Sequence, residues 1–190
     1  MSAVLSQPVR DQALQLCPCP RLETPRLVLR PHTLDDADGI LAALSDFEVA
    51  RMLSRVPSPF DRRDALEWLL RQTARRELGW AFAIADRENN YLGCVELSLN
   101  HGQWRLIYWL NRSAWGQGIA SDAVKAAVAV FDEVAPGVEI VSGFFADNAA
   151  SMRLQTRLGF EIIGCSDVFS LARGGMVAHL QTRRPARINL

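Results

Sequence analysis

Residues 103–134 read QWRLIYWLN, RSAWGQGIAS, DAVKAAVAVFDEV, and the three pieces predict a strand, a turn and a helix. In the first piece Trp104, Leu106, Tyr108 and Leu110 alternate with Gln103, Arg105, Ile107 and Trp109. That is the two-residue period of a strand, in a segment rich in aromatic and branched side chains. In the last piece Ile119, Ala123, Ala127, Val130, Phe131 and Val134 recur at three- and four-residue spacing. They predict one buried helical stripe, with Asp122, Lys125, Asp132 and Glu133 off it. Between strand and helix, Gly116 and Gly118 mark a turn.

The chemistry of such a turn is anion binding. Glycine reaches positive φ without penalty and lets backbone approach a ligand. The first amides of the following helix lack intrahelical partners and carry partial positive charge. Strand, glycine turn and helix start together form a phosphate cradle; the alternative is a tight turn whose glycines serve only the backbone. Two phosphate loops fit poorly. No Gly-Lys-Ser/Thr follows, as a triphosphate loop needs. A dinucleotide fingerprint wants GxGxxG directly after the strand and an acid about 20 residues on. Here Asn111 to Trp115 intervene, Ser121 stands at the third glycine, and Asp147 is too distant.

Trp115-Gly116-Gln117-Gly118-Ile119-Ala120 resembles the acetyl-CoA pyrophosphate loop of the GNAT N-acetyltransferases, Gln/Arg-x-x-Gly-x-Gly/Ala. Gly118 and Ala120 match its small positions, and Trp115 departs from the first. Trp-Gly-x-Gly, YWLN before it, FEIIG after it and LETPRLVLRP near the start resemble the RimJ/RimL-type branch, which includes N-terminal acetyltransferases of ribosomal proteins. The resemblance runs from about Leu22 to the C-terminus. It implies a mixed α/β fold: a mostly antiparallel sheet, splayed between the fourth and fifth strands, with helices on both faces. It also implies acetyl-CoA as co-substrate and an amine as acceptor.

Outward from the central stretch, residues 1–20 read as a polar, irregular extension that is expected to move freely, ending in CPCP. Residues 21–190 read as a single domain. Arg21 to Pro31 predicts one strand. Thr33 caps a helix through Leu44, a second helical segment starts at Asp46 and runs through Leu53, and a third runs from Asp61 to about Glu77. Strands are expected from Gly79 and over Tyr91–Asn100, and then, after the central strand and helix, over Glu139–Ala146. That last strand should lie parallel to the central one, because a helix crosses between them. A helix over residues 147–158 ends at Gly159, and a hairpin around Arg173-Gly174-Gly175 closes the chain.

Composition narrows the partners. The chain of 190 residues is 49% apolar and 22% charged with formal net charge zero, so nothing points to nucleic acid. No apolar run matches a membrane span, and no signal peptide is visible. Four cysteines without framework spacing fit a reducing cytoplasm, and Cys17-Pro-Cys19 has no neighbouring metal ligands, so no metal is expected. A homodimer is kept as an expectation of assembly.

The resemblance implies acyl transfer, which asks for a bound thioester, a positioned amine, a proton acceptor and an oxyanion donor. By resemblance, Trp109, Leu110 and Asn111 run along the pantetheine, the Leu110 amide polarises the thioester carbonyl, and Trp115 to Ala120 hold the pyrophosphate. DNAASMRLQTRLGF resembles the second signature, with Asn148 and Ser151 matched. Ser151 is then the proton donor to the leaving thiolate, because the Tyr common seven residues after the Asn is here Gln155; Asn148 is equally a helix cap. For the base, the branch often has Glu where this chain has Arg105; Glu96 is the nearest acid, followed by His101 or water. Arg51, Arg55, Arg62 and Arg63 argue for an amine bearing an acidic group over a polyamine. The alternatives are an acyl-CoA-binding module without turnover and a dinucleotide-dependent oxidoreductase.

Overall fold

In the computed structural model, residues 18–73 and 78–186 are described. The body of the expected extension, residues 1–17, and the end of the third helix beyond Thr73 lie outside the described residues. Strands β1 (Leu22–Glu23) and β2 (Val28–Pro31) precede helices α1 (Ala37–Leu44), α2 (Phe47–Ala50) and α3 (Arg62–Thr73). Then come β3 (Gly79–Ala85), β4 (Tyr91–Asn100), β5 (Gln103–Leu110), α4 (Ile119–Val134) and β6 (Ile140–Phe145). The chain closes with α5 (Ala149–Arg157), β7 (Glu161–Ser170) and β8 (Gly175–Arg184). The eight strands form one sheet in the order β1-β2-β3-β4-β5-β6-β8-β7. All pairs are antiparallel except β5–β6, the pair joined by the α4 crossover.

The single strand expected over residues 21–31 is a hairpin instead. Thr24 starts a turn in which its amide donates to Leu27 O at 2.9 Å and its hydroxyl accepts from Leu27 N at 2.9 Å. Pro25 sits at the turn position whose φ it pre-sets. The extra strand moves the splay from the fourth and fifth to the fifth and sixth strands. At the next junction Thr33 and Asp36 form a reciprocal capping box, and a short 3-10 turn leads into α1. Asp61 and Asp64 cap α3 in the same way, each side chain accepting from the other's amide.

Two cores sit on opposite faces of the sheet. On one, Ile119, Ala123, Val124, Ala127, Val128 and Phe131 of α4 pack on Phe82, Val95, Leu97 and Leu106. The expected stripe therefore widens: Val124 and Val128 are buried, whereas Val134, in the last turn, is 41% exposed. On the other face, α1 and α3 cover Cys94 and Trp109. Each fully buried aliphatic or aromatic side chain contributes roughly 1.5–3 kcal/mol. Arg184 reaches from β8 to α4 and donates twice to Asp132, at 2.8 and 2.6 Å. Only 4% of its side chain is exposed, so deleting Asp132 would strand a buried cation at a cost of about 3–5 kcal/mol.

His32 makes the fold acid-sensitive. Its Nδ1 meets Ala81 O and its Nε2 meets the Tyr91 hydroxyl, both at 3.2 Å, and the Trp68 ring lies edge-on. One nitrogen donating and the other accepting is the arrangement of neutral imidazole. Burial pushes its pKa from 6.5 down to about 4. Between those values the unfolded chain takes up a proton that the fold refuses. Urea titrations should therefore show full stability from this group above pH 6.5 and a progressive loss as pH falls toward 4. His179, whose pKa is also lowered, adds to the same loss. His32→Gln should flatten most of that slope; an unchanged slope would place the acid sensitivity elsewhere.

Candidate active site

Strands β5 and β6 pair only at Trp104–Ile140 and Arg105–Val141, then diverge. The gap opens into a cleft of about 640 Å³, within the usual range for small-ligand sites. Its floor is a hydrogen-bonded knot. Ser142 of β6 donates to Leu106 O of β5 at 2.9 Å. Gln155 of α5, 1% exposed, donates to Ser142 Oγ at 3.0 Å and to Tyr108 Oη at 3.3 Å, and accepts from Thr182 of β8 at 2.6 Å.

The two sheet faces line the cleft differently. Leu106, Tyr108, Ser142 and Ser151 are on the α4–α5 side, together with Gly116, Gly118, Ile119 and Ala120. Arg105, Ile107, Trp109, Phe145 and His179 are on the opposite side, under Met52, Leu53 and Ser54 of the loop after α2. That loop is tied down. Arg51 and Arg173 both bind Asp147, Arg173 Nε donates to Arg51 O at 2.8 Å, and Leu171 N donates to Ser54 O at 3.0 Å. Arg173 holds the Asp147 carboxyl below its usual pKa.

The glycine turn has the form an anion needs. Gly116 and Gly118 have φ of +75° and +76°. Gly118 is the N-cap of α4, and no side chain caps that helix. Its first amides thus face the cleft mouth, where Ile119, Ala120 and Ser121 line the wall. Arg26 braces the loop, donating to Gln117 O and to the Asp122 carboxylate. These features fit a pyrophosphate-bearing ligand.

Of the residues singled out in the sequence, Trp109, Leu110, Trp115, Gly116, Gly118, Ile119, Ala120, Asn148 and Ser151 line the cleft. Asn111 N donates to Leu92 O, so by alternation the Leu110 N–H faces the gap left by β6, while the Leu110 carbonyl on that edge accepts from Trp115 Nε1 at 3.1 Å. Asn148 caps α5, accepting from Ser151 N at 3.0 Å. Asn111, Gln117, Glu96 and His101 lie outside the lining. Asn111 turns toward β4, its side chain donating to Tyr91 O. The Gln117 side chain folds back onto Ser113 O. The Glu96 carboxylate accepts from Ser98 Oγ at 2.7 Å on the face of Ile107. His101 is an exposed turn residue at the far end of β5. No group of three or more His, Cys, Asp or Glu that could hold a metal ion occurs among the described residues.

Sequence reasoning missed Tyr108 and His179. Tyr108 was legible only as a strand position. His179 sits on β8, far along the chain from every motif, and a Cβ on Gly143 would collide with its ring. His179 Nδ1 is buried without a hydrogen-bond partner. Burial lowers the His179 pKa, and the nearby Arg105 charge adds to this.

The family model for the acetyltransferase (GNAT) domain matches residues 26–161, more than half of the chain. The chain belongs to the GNAT acetyltransferases. This GNAT protein is 27% identical over 149 residues to the uncharacterized N-acetyltransferase YoaA of Bacillus subtilis, covering 75% of this chain and 83% of the relative. The ribosomal-protein-S5-alanine acetyltransferase of Vibrio fischeri has the same fold, with TM-score 0.70 and 18% identity over 88% of this chain and 97% of that one. So does the Vibrio cholerae spermidine N-acetyltransferase, solved with CoA and spermine, at TM-score 0.73 and 18% identity over 86% and 97%. The GNAT protein is thus an acyltransferase, and acetyl-CoA-dependent N-acetylation is the activity of its family. The oxidoreductase and the binding module without turnover are set aside. Among the described residues no helix is long and apolar enough to cross a membrane.

Gly118→Asp should raise the acetyl-CoA Kd at least about tenfold, since it puts a carboxylate at the uncapped helix start. Asp tolerates left-handed backbone, so the variant should fold. Calorimetric titration with CoA checks this; parental affinity in a folded variant would move the pyrophosphate elsewhere.

Proposed function

We propose that this enzyme acetylates the α-amine of a protein or peptide N-terminus, as in the RimJ/RimL-type branch. The observation that carries the reading is the charge of the cleft. Asp147 is the one carboxylate among the described lining residues, and Arg51 and Arg173 already neutralise it. A polyamine would bring several cations to a wall with no free carboxylate. A singly charged α-amine, with apolar or acidic neighbours to meet Met52, Leu53, Ile107 and Arg105, suits that wall better.

Acetyl-CoA supplies the activated acetyl group. Gly116 to Ala120 and the start of α4 hold its pyrophosphate, and Trp109 and Leu110 flank the pantetheine arm. The Leu110 amide, facing the gap, donates to the thioester carbonyl oxygen as charge develops there. Ser151 lies beside the sulfur. The amine enters from the opposite face, and His179 takes its proton. Glu96 shares that face but not the cleft wall, so the lining position favours His179 over it.

The pH dependence tests the acceptor side. A base must be unprotonated to act, and the lowered pKa of His179 keeps it neutral at pH 7. With a peptide α-amine, whose own pKa is near 8, kcat/KM should rise through two ionisations, the lower one below 6.5. His179→Gln should remove the lower ionisation and leave CoA affinity within a few-fold; Glu96→Gln should keep it. The reverse pattern would return the role to Glu96. Release of CoA with spermidine but with no peptide amine would overturn the acceptor class.

A further inference from the structure

Charge is distributed unevenly over the cleft. Its one carboxylate among the described lining residues, Asp147, is taken up by Arg51 and Arg173. Three lining arginines stand outside that cluster: Arg105, Arg153 and Arg157. Arg153 and Arg157 belong to α5, on the face of the glycine turn. Arg105 is the one that β5 places on the opposite wall, in line with Ile107. Among the described residues, no hydrogen bond or ion pair holds its guanidinium. The polar groups around it are engaged elsewhere. Ser98, opposite it on β4, donates to the Glu96 carboxylate at 2.7 Å. Arg183, on the same face of β8, pairs with Glu139 at 3.6 Å. A guanidinium left open in a cleft wall is a ready partner for a carboxylate, which its planar fork can meet with two parallel hydrogen bonds.

The same wall sets where Arg105 stands relative to His179. Val141 is the register partner of Arg105, and Gly143 is the next residue of β6 on that face. The His179 ring lies over Gly143, where a Cβ would collide with it. Arg105 and the imidazole are therefore one side-chain step apart along the strand, roughly 6–7 Å. Burial and then the Arg105 charge lower the His179 pKa, so the two groups interact.

We propose that Arg105 selects the acceptor by binding a carboxylate on the same residue as the reacting amine, so that the preferred acceptor is a peptide beginning with Asp or Glu. This deepens the acetyltransferase reading and rests on its assignment of His179 to the amine. Amine at His179 and carboxylate at Arg105 then belong to one aminoacyl unit. The carboxylate also offsets a penalty. His179 becomes a cation when it takes the proton of the amine, and a bare guanidinium nearby opposes that charge. A neutral or cationic first residue leaves the two cations facing each other; an acidic one brings a negative charge to them. Discrimination thus comes from repulsion of the wrong acceptor as well as attraction of the right one.

The selection is read by kcat/KM for peptides that differ only in the first residue. The parent should prefer Asp over Asn at least about tenfold. Arg105→Gln should bring that ratio to within about twofold, and Arg105→Glu should turn the preference toward Lys. A ratio near one in the parent, or one that Arg105→Gln leaves unchanged, overturns the proposal. A second measurement needs no turnover: nuclear magnetic resonance titration of the His179 imidazole, one of three histidines. A saturating N-acetylated peptide amide beginning with Asp should raise its pKa, the Asn counterpart should not, and Arg105→Gln should lose the response. An imidazole that ignores the Asp peptide in the parent also overturns the proposal. Release of CoA with free Asp or Glu but with no peptide would sink the N-terminal reading, and the imidazole titration would still decide whether Arg105 takes a carboxylate.

Discussion

Two strands that part company inside a protein leave backbone carbonyls and amides facing a gap, and buried polar groups without partners are costly. Here the Gln155 amide and the Ser142 hydroxyl close the bottom of the gap. They join β5, β6, β8 and α5 through four short-range bonds, with Leu106 O, Tyr108 and Thr182 at their ends. Above that knot the gap stays open and becomes the cleft. The splay is therefore a constructed feature, with a polar side chain as its wedge. Gln155 brings a donor pair and an acceptor, and so bonds to side chains of three strands at once.

The cleft divides labour between the faces of the sheet. The α4 side is built from backbone: glycines at positive φ, an uncapped helix start and a strand edge whose amide faces the gap. Such groups recognise a phosphate chain and an amide-bearing arm without needing particular side chains. The opposite side is built from side chains brought from α2, β5, β6 and β8, tied together by the Arg51–Asp147–Arg173 cluster. The two walls of the cleft thus depend on different parts of the chain.

Much of the architecture was legible in residues 103–134, because strand and helix periods and a glycine turn are local properties. The parallel pairing of β5 and β6 followed from the intervening helix. The cap at Thr33 and the helix start at Asp61 were legible for the same reason, since each closes within four residues. The hairpin at residues 22–31 was not, because its first strand is only Leu22–Glu23, too short to show a period of its own.

The sequence by itself determined the local elements on the α4 side of the cleft: the turn from Trp115 to Ala120, the N-cap Asn148 and Ser151, all carried by contiguous motifs. Only the tertiary structure decided what stands opposite Ser151. Tyr108, Gln155, Ser142 and Thr182 come from four elements, and His179 joins the opposite wall from β8, the strand that also carries Thr182. Nothing in their local spacing relates them. Their juxtaposition depends on sheet register and on where β5 and β6 stop pairing, which are properties of the assembled sheet and not of any stretch of it.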